Sequence, residues 1–132
     1  MKVLVLSLLC AVAPVLGNAG CLEEETEAFT CKSNGTAVTL CWGKEARLNL
    51  EGYEVRTSLG DVLAMDAPDW TASTLSQNEK QYEVFHAEGL GGVTLYENNS
   101  QTRVVMCDPD TVTQTLSDLN KAAIMTPSPG GK

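Results

Sequence analysis

Cysteine has the most chemistry at its disposal in this chain: Cys10, Cys21, Cys31, Cys41 and Cys107 can in principle ligate a metal, attack as thiolates or oxidise in pairs. Zinc fits the spacing badly. Nine residues separate Cys21 from Cys31 and nine separate Cys31 from Cys41, a long gap precedes Cys107, and no Cys-x-x-Cys pair supplies two ligands from one tight turn. No metal and no cofactor is expected. Nucleophilic work requires reduced thiols, which an exported location disfavours, and the N-terminus reads as an export signal.

That leader carries one basic residue, Lys2, an apolar run over residues 3–16, and small residues at Gly17 and Ala19. The run is too short to span a bilayer as a mature helix. Residues 1–19 are therefore read as a signal peptide cut after Ala19, and the mature chain as periplasmic or secreted. A competing cut before Cys21 leaves a cysteine for lipid attachment. Ala19-Gly20-Cys21 suits that processing, but Asn18 stands where a bacterial lipobox carries an apolar residue. Loss of Cys10 with the leader leaves four cysteines, hence two disulfides, with three pairings open.

Other reactive side chains are sparse. His86 is the single histidine and lies on a predicted strand, with no Gly-x-Ser-x-Gly elbow to serve as its nucleophile. Asp66 and Asp69 form an acidic pair without the regular oxygen spacing of a calcium loop. Gly89-Leu90-Gly91-Gly92 joins strand to strand, so no helix N-terminus follows to hold a phosphate. An enzyme is not expected. Asn34-Gly35-Thr36 and Asn98-Asn99-Ser100 match the N-glycosylation pattern, which bears on a eukaryotic chain only. Trp42 and Trp70 read as core or rim packing, Trp70 having the alternative of an exposed anchor.

From Gly20 onward the nine Lys and Arg lose Lys2 and become eight against 17 Asp and Glu, a formal charge of −9. Such a field repels nucleic acid and anionic headgroups and speeds encounter with basic partners, while also keeping an exported domain in solution.

The elements that position these residues are mostly strands. Ala28-Phe29-Thr30-Cys31 and residues 36–42 flank Asn34-Gly35, a hairpin with a tight primed turn. Tyr53-Glu54-Val55-Arg56-Thr57 and Val62-Leu63-Ala64-Met65, with a break at Ser58-Leu59-Gly60, predict a second hairpin with one wet face. Residues 66–80 read as irregular. Tyr82-Glu83-Val84-Phe85-His86, Val93-Thr94-Leu95-Tyr96 and Arg103-Val104-Val105-Met106-Cys107 predict three further strands. About seven short antiparallel strands result: an all-β, disulfide-stapled barrel or sandwich over residues 20–107, with no internal repeat. Asp108-Pro109-Asp110 then predicts the start of a helix over residues 108–125. Val112, Leu116, Leu119 and Ala123 form its buried face, and it packs on the barrel as a lid. Residues 126–132 read as a disordered tail.

Taken in order, Phe29-Thr30-Cys31, the meander, Tyr82-Glu83-Val84-Phe85, the turn at Gly89, Val93-Thr94-Leu95-Tyr96 and the closing strand at Cys107 resemble the bacterial periplasmic or membrane-bound inhibitors of C-type lysozyme. The resemblance covers residues 27–107. It implies a small antiparallel barrel and a Cys31–Cys107 bridge, which leaves Cys21 to meet Cys41. It also implies two partner-binding loops: one at Ser76 and Asn78, the other at Glu88 and Gly89, where the family carries a lysine and this chain a glutamate. A glutamate entering a cleft lined by carboxylates is repelled or forced to bind a proton. The resulting expectation is an acidic exported protein that captures a basic protein partner, such as a C-type lysozyme, through loop contacts. The alternatives are an envelope structural or adaptor domain, lipid-anchored through Cys21, and a small-ligand carrier using the barrel mouth.

Overall fold

The computed structural model describes residues 20–127, so the predicted leader and nearly all of the predicted tail lie outside it. Ten strands form two antiparallel five-stranded sheets. The first contains β1 (Thr26–Ser33), β2 (Thr36–Trp42), β3 (Glu45–Leu50), β4 (Tyr53–Ser58) and the two-residue β10 (Thr113–Gln114), in the order β10-β1-β2-β3-β4. The second contains β5 (Leu63–Ala67), β6 (Trp70–Gln77), β7 (Lys80–Ala87), β8 (Leu90–Glu97) and β9 (Ser100–Met106), paired in chain order. This is a sandwich, and the closed barrel is not formed. At one corner side chains join the sheets: Thr57 Oγ1 donates to the Ser76 carbonyl (2.9 Å) and accepts from the Ser76 N–H (3.0 Å), and Gln77 Oε1 accepts from the Arg56 N–H (2.8 Å).

Tight turns set the meander. Asn34-Gly35, Glu51-Gly52, Asn78-Glu79 and Asn98-Asn99 each hold two successive residues at positive φ, the primed-turn geometry whose twist matches paired strands. The Asn34-Gly35 hairpin forms as the sequence predicts. The second predicted hairpin does not: β4 pairs with β3, a 3-10 turn over Leu59–Asp61 carries the chain across, and β5 opens the other sheet against β6. Residues 66–80 are therefore not irregular, since most of them build β6.

The predicted start of the helix is also displaced. Helix α1 spans Leu116–Ile124, and residues 107–115 instead run along the outer edge of β1. There the Asp108 and Thr115 N–H groups donate to the Lys32 and Ala28 carbonyls, and the Lys32 N–H donates to Thr111 Oγ1. Asp108 is no helix cap. Its carboxylate accepts the backbone N–H groups of Asn34 and Gly35 and so fastens the first hairpin turn. Val112 lies before the helix, half-buried, whereas Leu116, Leu119 and Ala123 do form the helix's buried face.

The core lies between the sheets and under α1, filled by Phe29, Leu40, Leu48, Val55, Leu75, Val84, Val93, Leu116 and Leu119. These side chains occupy the space that a ligand-carrying barrel mouth would need. One polar group inside is fully partnered: the Asn120 amide donates to the Met65 and Ala72 carbonyls (3.3 and 3.1 Å) and to Asp66 (3.2 Å), and its oxygen accepts from Ser73 Oγ (2.7 Å). That set of bonds fixes how α1 sits on β5 and β6.

Disulfides join Cys31 to Cys107 and Cys21 to Cys41, the pairing that the resemblance implies. The first ties β1 to the end of β9, and the second holds the N-terminal segment to β2. Bridging commits the Cys21 sulfur, the atom a lipid thioether would require, so the Cys21–Cys41 bridge and a lipid anchor at Cys21 exclude one another.

Candidate interaction face

The two loops singled out by sequence do not meet. Ser76 and Asn78 lie at the β6–β7 turn, Glu88 and Gly89 at the β7–β8 turn, and the eight residues of β7 separate the two turns by roughly 25 Å. Moreover, the Ser76 backbone is engaged by Thr57 in the joint between sheets. A pair of loops entering one cleft together is not the arrangement this fold presents.

The pairing registers bring other residues together. Across the second sheet, Leu63, Thr74, Glu83, Thr94 and Val104 form one row; Met65, Ala72, Phe85, Gly92 and Met106 form another two residues away. Rows two residues apart share a face. The row between them, Ala64, Ser73, Val84, Val93 and Val105, points into the core. The first two rows therefore lie on the outward face; at its centre Ala72, Phe85, Gly92 and Thr94 are buried, and its exposed apolar side chains stand at the β5 and β9 margins. Leu63, Met65, Val104 and Met106 are 57%, 52%, 38% and 42% exposed.

Trp70, at the β5–β6 turn end of β6, stacks on Phe85 of the central strand β7, with ring centroids 4.8 Å apart and planes within 8°. Phe85 is nearly buried beneath the indole. The stack needs Gly92, because a Cβ there would stand 3.2 Å from Phe85 Cζ and 2.4 Å from the Val105 carbonyl oxygen. Trp70 is half-buried and packs on Phe85 at the rim of the sheet, and Trp42 packs half-buried against the core.

Carboxylates stand at both ends of the sheet, with exposed Lys80 paired across from Glu97 at one of them. Exposed Asp69 and Glu88 lie on turns at one end of the sheet, and exposed Glu79 and Glu97 at the other. Glu83 lies on the face itself and accepts from the Tyr96 hydroxyl (3.2 Å). Burial, reinforced by that carboxylate, raises the Tyr96 phenol above its ordinary value and keeps it a donor. Apolar centre with charged rim is the general anatomy of a protein–protein interface.

The first sheet's outward face is of the opposite character. Arg47 and Arg56 lie directly opposite one another on β3 and β4, and carboxylates separate their charges. Glu25 takes Arg47 in a two-pronged pair (Nη2 2.6 Å, Nε 3.0 Å), while Arg56 bonds Glu45 (3.1 Å) and Glu54 (2.5 Å). The guanidinium beside Glu25 holds its carboxyl below the usual range. These charges are mutually satisfied, and exposed Leu22 lies in a groove beside Glu25, Glu45 and Arg56.

The reactive groups considered in the sequence find no shared site. Cys21, Glu25 and Cys41 are close enough for a metal, but the two sulfurs are bonded to each other and Glu25 is held by Arg47. Asp66 is bound by Ser117 and Asn120, and His86 lies in a row with Thr71 and Gly91. The apolar face was missed because β5 and β6 were not paired correctly. The available signal was Val104-Val105-Met106 and Val84-Phe85, runs that are apolar on both faces of a strand.

Among the described residues, no helix is long and apolar enough to cross a membrane. Comparison of the chain with protein-family models, curated proteins and solved structures finds no match.

Proposed function

We propose that this is an exported binding protein that captures a basic protein partner on the outer face of its second sheet. One observation carries the reading: exposed Leu63 and Met65 on β5 and Val104 and Met106 on β9 stand on either side of the Trp70–Phe85 stack, with Asp69, Glu79, Glu88 and Glu97 exposed at the two ends of the sheet. Apolar burial supplies the affinity, and the carboxylate rim supplies steering and partner choice. A partner with an apolar patch surrounded by lysine and arginine complements it, and a C-type lysozyme is the candidate that the family resemblance offers. Two disulfides fit an oxidising compartment. Contact through the face replaces the paired-loop mode, whose two loops lie far apart.

The test is titration of the oxidised domain, starting at Gly20, with a C-type lysozyme at low and at physiological salt. Binding in the micromolar range or tighter, weakened at least tenfold by Met65→Glu with Met106→Glu and weakened again by salt, supports the reading. Binding indifferent to those substitutions moves the contact off this face, and no binding at all removes lysozyme as the partner.

A further inference from the structure

Each sheet has two edges, and three of the four are occupied among the described residues. The β4 edge meets Ser76 and Gln77 of β6. On the opposite side of that sheet, residues 108–115 run along β1. The β5 edge lies against α1, whose Asn120 donates to the Met65 carbonyl. Exported proteins manage strand edges because an open one recruits other strands.

β9 is managed least. The Cys107 N–H donates across to the Gly91 carbonyl of β8 (3.0 Å), so by antiparallel alternation Val105 and Arg103 face β8 while Val104 and Met106 turn their backbone groups outward. Ser33 Oγ takes the Met106 carbonyl (2.7 Å), leaving the Val104 N–H and C=O and the Met106 N–H at the margin. No proline or lysine lies in this stretch, and its one charged side chain, Arg103, is paired with Glu51 of the β3–β4 turn. Beside it runs a groove of about 450 Å³ lined by Ser33, Asn34, Thr36, Glu51, Arg103 and Asp108.

We infer that β9 is a strand-addition edge, and that its occupant is an extended segment of the basic partner with alternating apolar and cationic side chains. This rests on the capture reading above and specifies how the partner is held. A residue added opposite Val104 or Met106 extends the outward face, and its neighbours point toward the groove; there Glu51 is paired with Arg103 and Asp108 holds the Asn34 and Gly35 amides, so the attraction for cationic side chains comes from the net acidic charge of the chain. A second copy of this chain fits less well, because two molecules of formal charge −8 would meet acid against acid.

The probe is a heptapeptide of alternating valine and lysine, titrated into the oxidised domain and followed by amide hydrogen exchange. Protection of the Val104 and Met106 amides on binding is expected. Val104→Pro removes an outward N–H while leaving the Val93–Val105 ladder bonds in place, and should weaken the peptide at least tenfold with β-sheet content unchanged. If that variant does not fold, protection in the unaltered domain decides alone. Peptide bound without protection at Val104 and Met106 overturns the inference, as does a concentration-dependent dimer protected at those amides. Failure of the peptide beside intact, Met65-dependent lysozyme capture removes strand addition only. Peptide addition without lysozyme capture removes lysozyme as the partner only.

Discussion

The two bridges differ in what they restrain, and the difference is large enough to measure. Cys31 and Cys107 are 76 residues apart, Cys21 and Cys41 only 20. Treating each bridge as loss of loop-closure entropy in the unfolded chain gives about 4.5 kcal/mol for the 76-residue loop and about 3.3 kcal/mol for the 20-residue loop. The loops overlap, so the two figures do not add. Against a total stability of about 5–15 kcal/mol for a domain of this size, removing the longer bridge leaves the fold marginal. The variants are Cys31→Ala with Cys107→Ala, and Cys21→Ala with Cys41→Ala, each compared with the oxidised domain in urea. With a slope of about 1.5 kcal/mol per molar, midpoints fall by roughly 3 M and roughly 2 M. Cys31 and Cys41 are both buried, so the small voids left by alanine add to each cost without changing the order. Equal midpoint shifts, or a larger shift for the 21–41 pair, would refute the loop-entropy reasoning.

Two further outcomes follow from the buried polar groups. Glu25→Gln leaves the almost fully buried Arg47 guanidinium without its carboxylate and should cost about 3 kcal/mol at neutral pH. Because the folded carboxyl lies below its ordinary value of 4.5, this stabilisation is complete above that pH and is lost as pH falls through the folded value. The gap between native and variant urea midpoints should therefore narrow below about pH 4. Asn120→Ala removes three donated bonds and strands the buried Ser73 hydroxyl, for an expected loss of about 2–4 kcal/mol. Combining Asn120→Leu with Ser73→Ala should recover part of that loss in thermal melts, and no recovery would mean that the hydroxyl is not the costly group.

Strands with strong local signals were legible from the sequence. Asn34-Gly35 announces its hairpin, and β7, β8 and β9 stand out through β-branched and aromatic residues broken by glycine and asparagine. β6 was hidden because Thr71-Ala72-Ser73-Thr74 is only weakly apolar: of its inward positions only Leu75 is a large apolar side chain, and Ser73 is held by its bond to Asn120. The crossing at Leu59–Asp61 was hidden for a different reason: a short break between two strands looks the same whether the chain turns back or passes to another sheet. Asp108-Pro109 carries a genuine capping pattern, but the carboxylate is used by the Asn34-Gly35 turn instead. The candidate face depends on register across five strands, information that becomes available only once β5 is known to pair with β6.

The strip formed by residues 107–115 along β1 has a consequence for assembly order. One of the first strands to leave a ribosome or translocation pore keeps part of its hydrogen-bonding side unsatisfied until almost the last part of the chain arrives, and Cys31 likewise waits for Cys107. Such long-range closure is slow. Until then, Cys31 has Cys21 and Cys41 as its nearer, wrong partners. Forming the Cys31–Cys107 bridge therefore calls for thiol–disulfide exchange before the fold closes, and a chain lacking residues 107–115 would carry an open β1 edge and an unpaired thiol.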